Sequence, residues 1–478
     1  MKTSYVSTSI PYVNARPHVG FALELVQADV IARWRRLQGD DTFFLTGTDE
    51  NAFKNVQAAA SEGLTPRQLC DRNAAVFQDL ASALDISHNR FIRSSSDGHF
   101  RGASRFWLAC RREDIVLKQY RGLYCVGCED FYLKRDLADG RCPVHAVEPD
   151  TVEETNYFFR LSAWQKALET LIASGRLRIL PKTRRNEALG FIRLGLRDFS
   201  ISRNRERSGG WGVPVPGDPT QVMYVWFDAL TNYLTGPGYG SNEGNFERYW
   251  ENCSHRIHVI GKDILKFHAI YWPALLLSAG LPLPRTIFVH GHLTVEGRKI
   301  GKSQGNAVDP FPLIRRYGAD ALRYYLLRAV RSGEDGDVSE ARLRDLYNAD
   351  LANGLGNLVR RLEALCERSG HGPVDSCDIR IPPDLSGALD TFDFAGALRT
   401  IWQRVGELNR EIDAARPWEL LKGQKAGRLS EHLTAWVGSV LEISRVLRPF
   451  LPGTANRIET GFSTSRIQKS QPLFPRLT

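Results

Sequence analysis

Ser9-Ile-Pro-Tyr-Val-Asn-Ala-Arg-Pro-His-Val-Gly-Phe21 joins two elements of different periodicity, and its reading decides the fold. Before it, residues 5–10 are rich in β-branched side chains and read as a strand. After it, Val19, Leu23, Val26, Val30, Trp34 and Leu37 recur at helical spacing, with Gly39 as the stop. A second strand, Thr42-Phe-Phe-Leu45, runs into Thr46-Gly-Thr-Asp-Glu50. Strand, helix and strand in this order predict a parallel α/β sheet, whose ligands collect beyond the carboxyl ends of the strands. His18 and Asp49 fall there. Pro17 suits helix entry, and Gly20 lets backbone N–H groups approach an anion at the positive end of the helix. An ordinary first helix with a histidine at its cap fits the same residues equally well.

With 478 residues the chain is too long for one core and predicts two to four domains. Its 42% hydrophobic and 24% charged residues are those of a soluble globular protein. No apolar run reaches the length of a membrane span, and the first residues lead straight into a strand rather than a signal peptide, so a cytoplasmic protein is expected. A net charge of +9 is compatible with a polyanionic partner, but it is spread along the chain and does not by itself point to RNA. Residues 1–112 read as the first half of a doubly wound, Rossmann-like domain, 113–222 as an insertion, and 223–330 as the second half. Within that second half, Tyr224-Val-Trp-Phe-Asp-Ala-Leu-Thr-Asn-Tyr233 alternates like a buried strand running into a helix. Residues 331–350 form a linker and 351–478 an all-α domain, whose polar, Pro-containing tail from residue 463 is expected to pack loosely.

Eight cysteines are present. Cys70, Cys110, Cys253, Cys366 and Cys377 are scattered and read as buried or incidental thiols of a reducing compartment. The other three cluster with a histidine: Cys125, Cys128, Cys142 and His145 form a Cys-x2-Cys…Cys-x2-His set. Three thiolates and an imidazole at this spacing close a tetrahedron around one Zn²⁺, and four protein ligands make the site structural.

Downstream, Gly297-Arg-Lys-Ile-Gly-Lys-Ser-Gln-Gly-Asn306 supplies Lys299 and Lys302 on a Gly-rich loop suited to closing over phosphates, although a solvated basic loop would read the same in isolation. Together, His18-Val-Gly-Phe21 and Lys299-Ile-Gly-Lys-Ser303 resemble the two signatures of class I aminoacyl-tRNA synthetases. The surrounding text resembles the methionyl-tRNA synthetase family over essentially the whole chain, most strongly in Pro11-Tyr-Val-Asn14, Phe44-Leu-Thr-Gly-Thr-Asp-Glu50, Tyr224-Val-Trp-Phe-Asp-Ala229 and Ile260-Gly-Lys-Asp263. The resemblance implies activation of methionine with ATP and Mg²⁺, followed by transfer to tRNA(Met). It also implies a zinc knuckle in the insertion and an anticodon-binding helical domain. The family's residues map onto His18, Lys299 and Lys302 for catalysis, and onto Gly20, Glu24, Asp263, His290, Leu293 and Ser303 for ATP. Asp49 falls where the family holds the α-amino group. Ile10, Tyr12, Trp226, Ala229, Leu230, Tyr233, Phe267 and His268 match its thioether cavity. Asn357, Arg361, Pro417 and Trp418 match its anticodon readers, although unaided they read as a helix-surface pair and a core tryptophan. No dimerisation domain follows the helices, so a monomer is expected.

Three departures fall inside the catalytic apparatus. Phe21 stands where the first signature has its second histidine, and a phenyl ring offers a triphosphate no hydrogen bond. Losing such a donor costs on the order of 3 kcal/mol of transition-state stabilisation. Gly301 and Ile300 replace the serine and methionine of the second signature, and Asn51 replaces the histidine after the Asp-Glu pair. A methionine–tRNA ligase is the primary expectation. A repurposed paralogue, activating an amino acid for another acceptor or only binding tRNA, is the alternative that Phe21 favours.

Overall fold

The computed structural model describes residues 1–125, 130–132, 134–143, 146–241, 244–300, 306–374, 381–422 and 426–477, without the side chains at 130, 131, 135, 299, 422 and 426. Two compact units are present: Met1–Pro17, Gln38–Leu80 and Ser87–His290 form the first, and His18–Leu37, Ala81–Ile86 and Gly291–Thr478 the second.

The first unit is built on a six-stranded sheet in the order Arg90–Arg93, Asp41–Thr48, Thr3–Thr8, His255–Gly261, Thr286–His290 and Arg178–Leu180, every neighbouring pair parallel. Val6 of the central strand pairs with Phe44 on one side and Ile257 on the other. Burial on both faces leaves no water for its polar side chains, so each finds a partner. The Ser7 hydroxyl meets His258 Nδ1 at 2.7 Å, and the Thr8 and Thr46 hydroxyls lie 2.8 Å apart. Gly47 is required by close approach, because a Cβ there would lie 2.1 Å from the Ile92 carbonyl of the next strand. Parallel pairing brings the ends at Thr8, Thr48, Gly261 and His290 to one edge. The sheet also draws on the segment set apart as an insertion, since its outer strand is Arg178–Leu180.

Within 113–222, a four-stranded antiparallel sheet runs Asp130–Tyr132, Ile115–Cys125, Asp150–Phe159 and Phe199–Ser200. Asp218–Met223 joins a separate antiparallel sheet, and the chain turns directly into the helix Val225–Thr235. The alternating stretch from Tyr224 is therefore helical from its second residue, not a strand. Nearly every residue of this helix is buried, so it carries no polar stripe to reveal its period.

In the second unit, Arg323 of the helix Ala319–Ala329 is fully buried. Its guanidinium pairs with Asp29 of the helix Val19–Leu37 at 2.8 Å and donates to the carbonyls of Leu84, Pro449 and Phe450 at 2.7–3.1 Å. A buried charge is tolerable only when satisfied this fully. The helices Asn357–Ser369, Phe394–Ala415 and Ala426–Leu447 pack in the same unit. The C-terminal tail is pinned, contrary to expectation. Asn348 exchanges two 3.1 Å hydrogen bonds with Leu477, Glu363 accepts from Ser470, and Ile467 and Phe474 are buried. Among the described residues no helix is long and apolar enough to cross a membrane.

Candidate active site

At the carboxyl edge of the main sheet, the exits of Thr3–Thr8 and Asp41–Thr48 run side by side: Tyr12 and Asp49 form a bridge, and the Asp49 amide donates to the Pro11 carbonyl at 2.9 Å. Asp49 is 2% exposed. Its Oδ1 lies 3.5 Å from Ser94 Oγ, which accepts from the Glu50 amide at 2.8 Å. Glu50 itself points elsewhere. Fully buried, it takes Arg93 on both carboxylate oxygens at 2.7 and 3.0 Å, with Ser95 and Thr48 adding hydroxyl donors. The serine-rich turn at 94–98 thus supports this carboxylate pair.

The aromatic members of the predicted cavity meet in the same unit. Trp226 and Phe267 stack with centroids 3.7 Å apart and planes 5° from parallel. The His268 ring lies nearly perpendicular to Trp226, centroids 6.3 Å apart. His268 Nδ1 donates to the Ile264 carbonyl at 2.9 Å, leaving Nε2 to accept the Tyr233 hydroxyl at 2.7 Å. Ala229, Leu230 and Tyr233 are buried along the same helix, while Ile10 and Tyr12 are half-buried on the strand exit. The Lys54 ammonium sits 4.2 Å over the Tyr12 ring.

Behind Tyr233 lies a residue the sequence did not single out. His258 packs 4.1 Å from the Tyr233 ring, donates from Nδ1 to Ser7 and accepts from Trp272 Nε1 at 3.3 Å. Burial, and then the charges of His268 and Arg256, hold its pKa well below the usual histidine range, so it is a neutral wall. Asn51 also gains a role here. Its Nδ2 donates to Asp228 Oδ2 at 2.7 Å and to the Ser94 carbonyl at 2.9 Å, while His99 Nε2 donates to Asp228 Oδ1 at 2.6 Å. Asp228 is fully buried on the helix that carries Trp226 and Ala229, so this carboxylate ties the Asp49 loop to the cavity wall. The separations of 177 and 129 residues explain why sequence gave no sign of it.

Of the predicted ATP-binding residues, Asp263 lies in the turn Lys262–Ile264 after its strand, and His290 ends the neighbouring strand, in register with Gly261. The others belong to the second unit. His18 precedes the helix Val19–Leu37, and its Nδ1 accepts the Gly20 amide at 3.0 Å. The neutral ring therefore carries its proton on Nε2. The amide expected to face an anion is thus engaged by the imidazole, and the Val19 amide donates to the Val308 carbonyl at 3.0 Å. Phe21 is 8% exposed and Glu24 5% exposed, both within the unit's interior. Leu293 is buried on the strand Leu293–Val295, and the Ile300 amide donates to its carbonyl at 3.0 Å. Lys299 lies on the strand Arg298–Lys299 with its side chain undescribed, and Gly301, Lys302 and Ser303 fall outside the described residues.

Farther along the second unit, Asn357 is exposed at the start of its helix. Arg361 is held by Asp413 and by the carbonyl and side chain of Asn409, at 3.2 and 2.9 Å. Arg416 adopts φ 46°, which ends the helix Phe394–Ala415, and buried Pro417 starts the next. The break presents Trp418 outward, 47% exposed, so it is not the core tryptophan that sequence alone suggests.

In the insertion, Cys125 and Cys142 are each 1% exposed although their surroundings are largely exposed. The Ala146 amide closes a turn onto the Cys142 carbonyl at 2.8 Å. Two inward-facing sulfurs suit thiolate ligands, whereas Cys128 and His145 lie outside the described residues. No group of three metal-ligating side chains occurs among the described residues. Cys70, Cys110 and Cys366 are ordinary core thiols, which burial pushes up to about 12.

Comparison with known proteins places this geometry. A family profile described as tRNA synthetases class I (M) matches residues 4–148 and 132–363. A methionine–tRNA ligase of Fusobacterium nucleatum subsp. nucleatum is 40% identical over 473 residues, covering 96% of this chain and 74% of the relative. One from Brucella suis biovar 1 is 41% identical, covering 95% and 90%. A solved structure of the Mycobacterium tuberculosis methionyl-tRNA synthetase in complex with methionyl-adenylate superimposes with a TM-score of 0.91 at 38% identity, over 100% of both chains.

Proposed function

The chain belongs to the methionyl family of class I tRNA synthetases, and we propose from that footing that it is a methionine–tRNA ligase whose named residues perform both half-reactions. In the first, a methionine carboxylate oxygen attacks the α-phosphorus of ATP and pyrophosphate leaves. In the second, a terminal tRNA hydroxyl attacks the carbonyl carbon and AMP leaves. Neither step makes a bond to the protein, so catalysis is positioning and charge stabilisation.

The observation that carries the reading is the Trp226–Phe267 stack with Tyr233 and His268, in the same unit and on the same sheet edge as buried Asp49. A thioether is apolar and polarisable, and sulfur–aromatic contacts add about 0.3–1.5 kcal/mol each. Asp49 supplies the charge for the α-ammonium, and the Asn51–Asp228–His99 cluster fixes the distance between that charge and the aromatic wall. His18, with Nδ1 held by Gly20, offers Nε2–H to the phosphates, and Lys299, Lys302 and Ser303 close on them. Glu24, Asp263, His290 and Leu293 contact the nucleoside. Mg²⁺ enters as the counter-ion of ATP. Cys125, Cys128, Cys142 and His145 would hold one structural Zn²⁺ through three thiolates and an imidazole. Asn357, Arg361, Pro417 and Trp418 read the anticodon, Trp418 being an exposed stacking face of the kind single-stranded loops use.

Methionine-dependent exchange of labelled pyrophosphate into ATP, followed by charging of initiator and elongator tRNA(Met), tests the reading. Exchange with charging establishes it. Exchange without charging would assign activation for another acceptor, as the buried Phe21 first suggested, and absence of both would leave only RNA binding.

A further inference from the structure

Asp49 lies on a stretch of backbone whose polar groups are taken one by one. Its amide donates to the Pro11 carbonyl at 2.9 Å, and its carbonyl accepts from Asn55 Nδ2 at 3.1 Å. The next amide, of Glu50, donates to Ser94 Oγ at 2.8 Å. The Glu50 carbonyl then accepts the indole N–H of Trp211 at 2.7 Å, from 161 residues away. The Cys70 thiol points at the same oxygen, but at 3.7 Å and as a weak donor. Pro11, Asn55 and Ser94 all follow closely on strands of the main sheet, whereas Trp211 arrives from the inserted segment. It lies in the connection from Ser202–Asn204 to Pro214–Val215, the two strands that flank Asp218–Met223. A tight turn precedes it, with the Gly210 amide closed onto the Arg205 carbonyl at 2.9 Å. Two residues past the indole, the Val213 carbonyl accepts from the Met223 amide at 2.7 Å, directly before the helix that carries Trp226. The Arg67 guanidinium lies 5.4 Å over the Trp211 ring and donates to the Ser95 hydroxyl and carbonyl at 2.8 and 3.2 Å. The indole is therefore fixed both to the cavity wall and to the turn after Asp49.

We propose that Trp211 is a positioning residue for the amino acid: its N–H fixes the Glu50 carbonyl and, through that peptide, the aim of the Asp49 carboxylate at the α-ammonium. The inference rests on the role of Asp49 in the ligase reading above. Trp211 acts through one peptide and not by contact with substrate. A charge-assisted hydrogen bond weakens steeply once its angle falls below about 120°, so a carboxylate carried on a loosened peptide holds an ammonium less well. The thioether, seated against Trp226 and Phe267, is indifferent to that aim. Loss of the indole N–H therefore weakens the grip on the ammonium and spares the rest of the substrate.

Histidine at this position carries Nε2 where tryptophan has Nε1, since both five-membered rings join at Cγ, while phenylalanine fills space without an N–H. The test compares Trp211→Phe and Trp211→His with the parent in calorimetric binding of methionine and of 4-(methylthio)butanoate, its analogue without the α-amine. Pyrophosphate exchange and thermal unfolding are followed on the same samples. Trp211→Phe should bind methionine about fivefold more weakly, the worth of one buried hydrogen bond, and raise its KM alike, with KM for ATP unchanged. Trp211→His should stay within about twofold of the parent. The deaminated analogue should bind all three proteins equally, since it offers Asp49 no ammonium. Equal losses for the two ligands overturn the proposal, as does a phenylalanine variant that binds methionine as well as the histidine one, the order that a packing role gives. If Trp211→Phe does not fold, parent-like binding by Trp211→His sustains the proposal and a methionine-specific loss overturns it. A parent that binds methionine without exchange refutes the ligase reading, and the binding comparison still decides Trp211. A parent that binds both ligands alike refutes the role of Asp49 and the proposal with it.

Discussion

Gly20→Ala separates the catalytic use of His18 from the stability of its helix. A Cβ at Gly20 would lie 2.7 Å from His18 Cε1 and 2.9 Å from Nδ1, inside contact distance, so the imidazole must swing away and surrender its 3.0 Å bond to the Gly20 amide. Alanine in a helix is favoured over glycine by up to about 1 kcal/mol, and the lost hydrogen bond costs about 1 kcal/mol. The two nearly cancel, so the unfolding free energy should change by less than ~0.5 kcal/mol. Catalysis has no such compensation. A displaced transition-state donor costs about 3 kcal/mol, which is roughly a 150-fold drop in rate. Methionine-dependent pyrophosphate exchange measures the rate, and thermal unfolding of the same samples measures the fold. His18→Ala should give a similar loss, and the double variant little more, because both changes remove one interaction. Exchange within threefold of the parent in Gly20→Ala, with His18→Ala strongly impaired, would refute the claim that Gly20 keeps the ring in place.

Three further outcomes follow from the buried polar groups. Tyr233→Phe removes the hydroxyl that donates to His268 Nε2 at 2.7 Å, and at about 1.4 kcal/mol for a buried hydrogen bond should raise KM for methionine about tenfold in the exchange assay, with kcat little changed. Arg93→Met strips the counter-charge from fully buried Glu50 and should cost about 3 kcal/mol in denaturant unfolding; a change under ~1 kcal/mol would mean that Glu50 is reached by water. His258 has its pKa depressed in the fold, so the unfolded chain binds more protons below its own pKa of about 6.5. The stability it contributes is fully present above that pH and is lost as pH falls below it, by about 1.4 kcal/mol per unit. Unfolding titrations between pH 7.5 and 5.5 should show this slope in the parent and a shallower one in His258→Gln.

Much of the candidate site's framework was legible in the chain because it sits on local signals. The strand Thr3–Thr8 and the helix Val19–Leu37 announce themselves by period, and the exits at Tyr12 and Asp49 follow from parallel order. Spacing alone set the four candidate zinc ligands apart from five scattered cysteines. Where a segment is buried on every side the signal blurs, as in Val225–Thr235, whose alternating text suggested a strand before the helix where the helix already begins. The tail failed for a related reason: Ile467 and Phe474 are too few to look like a core until the surface beneath them exists.

What the sequence determined by itself, then, is the family, the order of the parallel strands' motifs and the residue types available at their ends, because each depends on patterns a few residues long. Only the tertiary structure decided which polar groups act together. That Asn51 and His99 share Asp228, that Glu50 turns from Asp49 toward Arg93, and that Arg323 fills a buried pocket of carbonyls all depend on partners far apart in the chain. Such pairings are fixed by the cost of leaving a charge or donor unsatisfied in a dry interior, a cost that arises only once folding has removed the water.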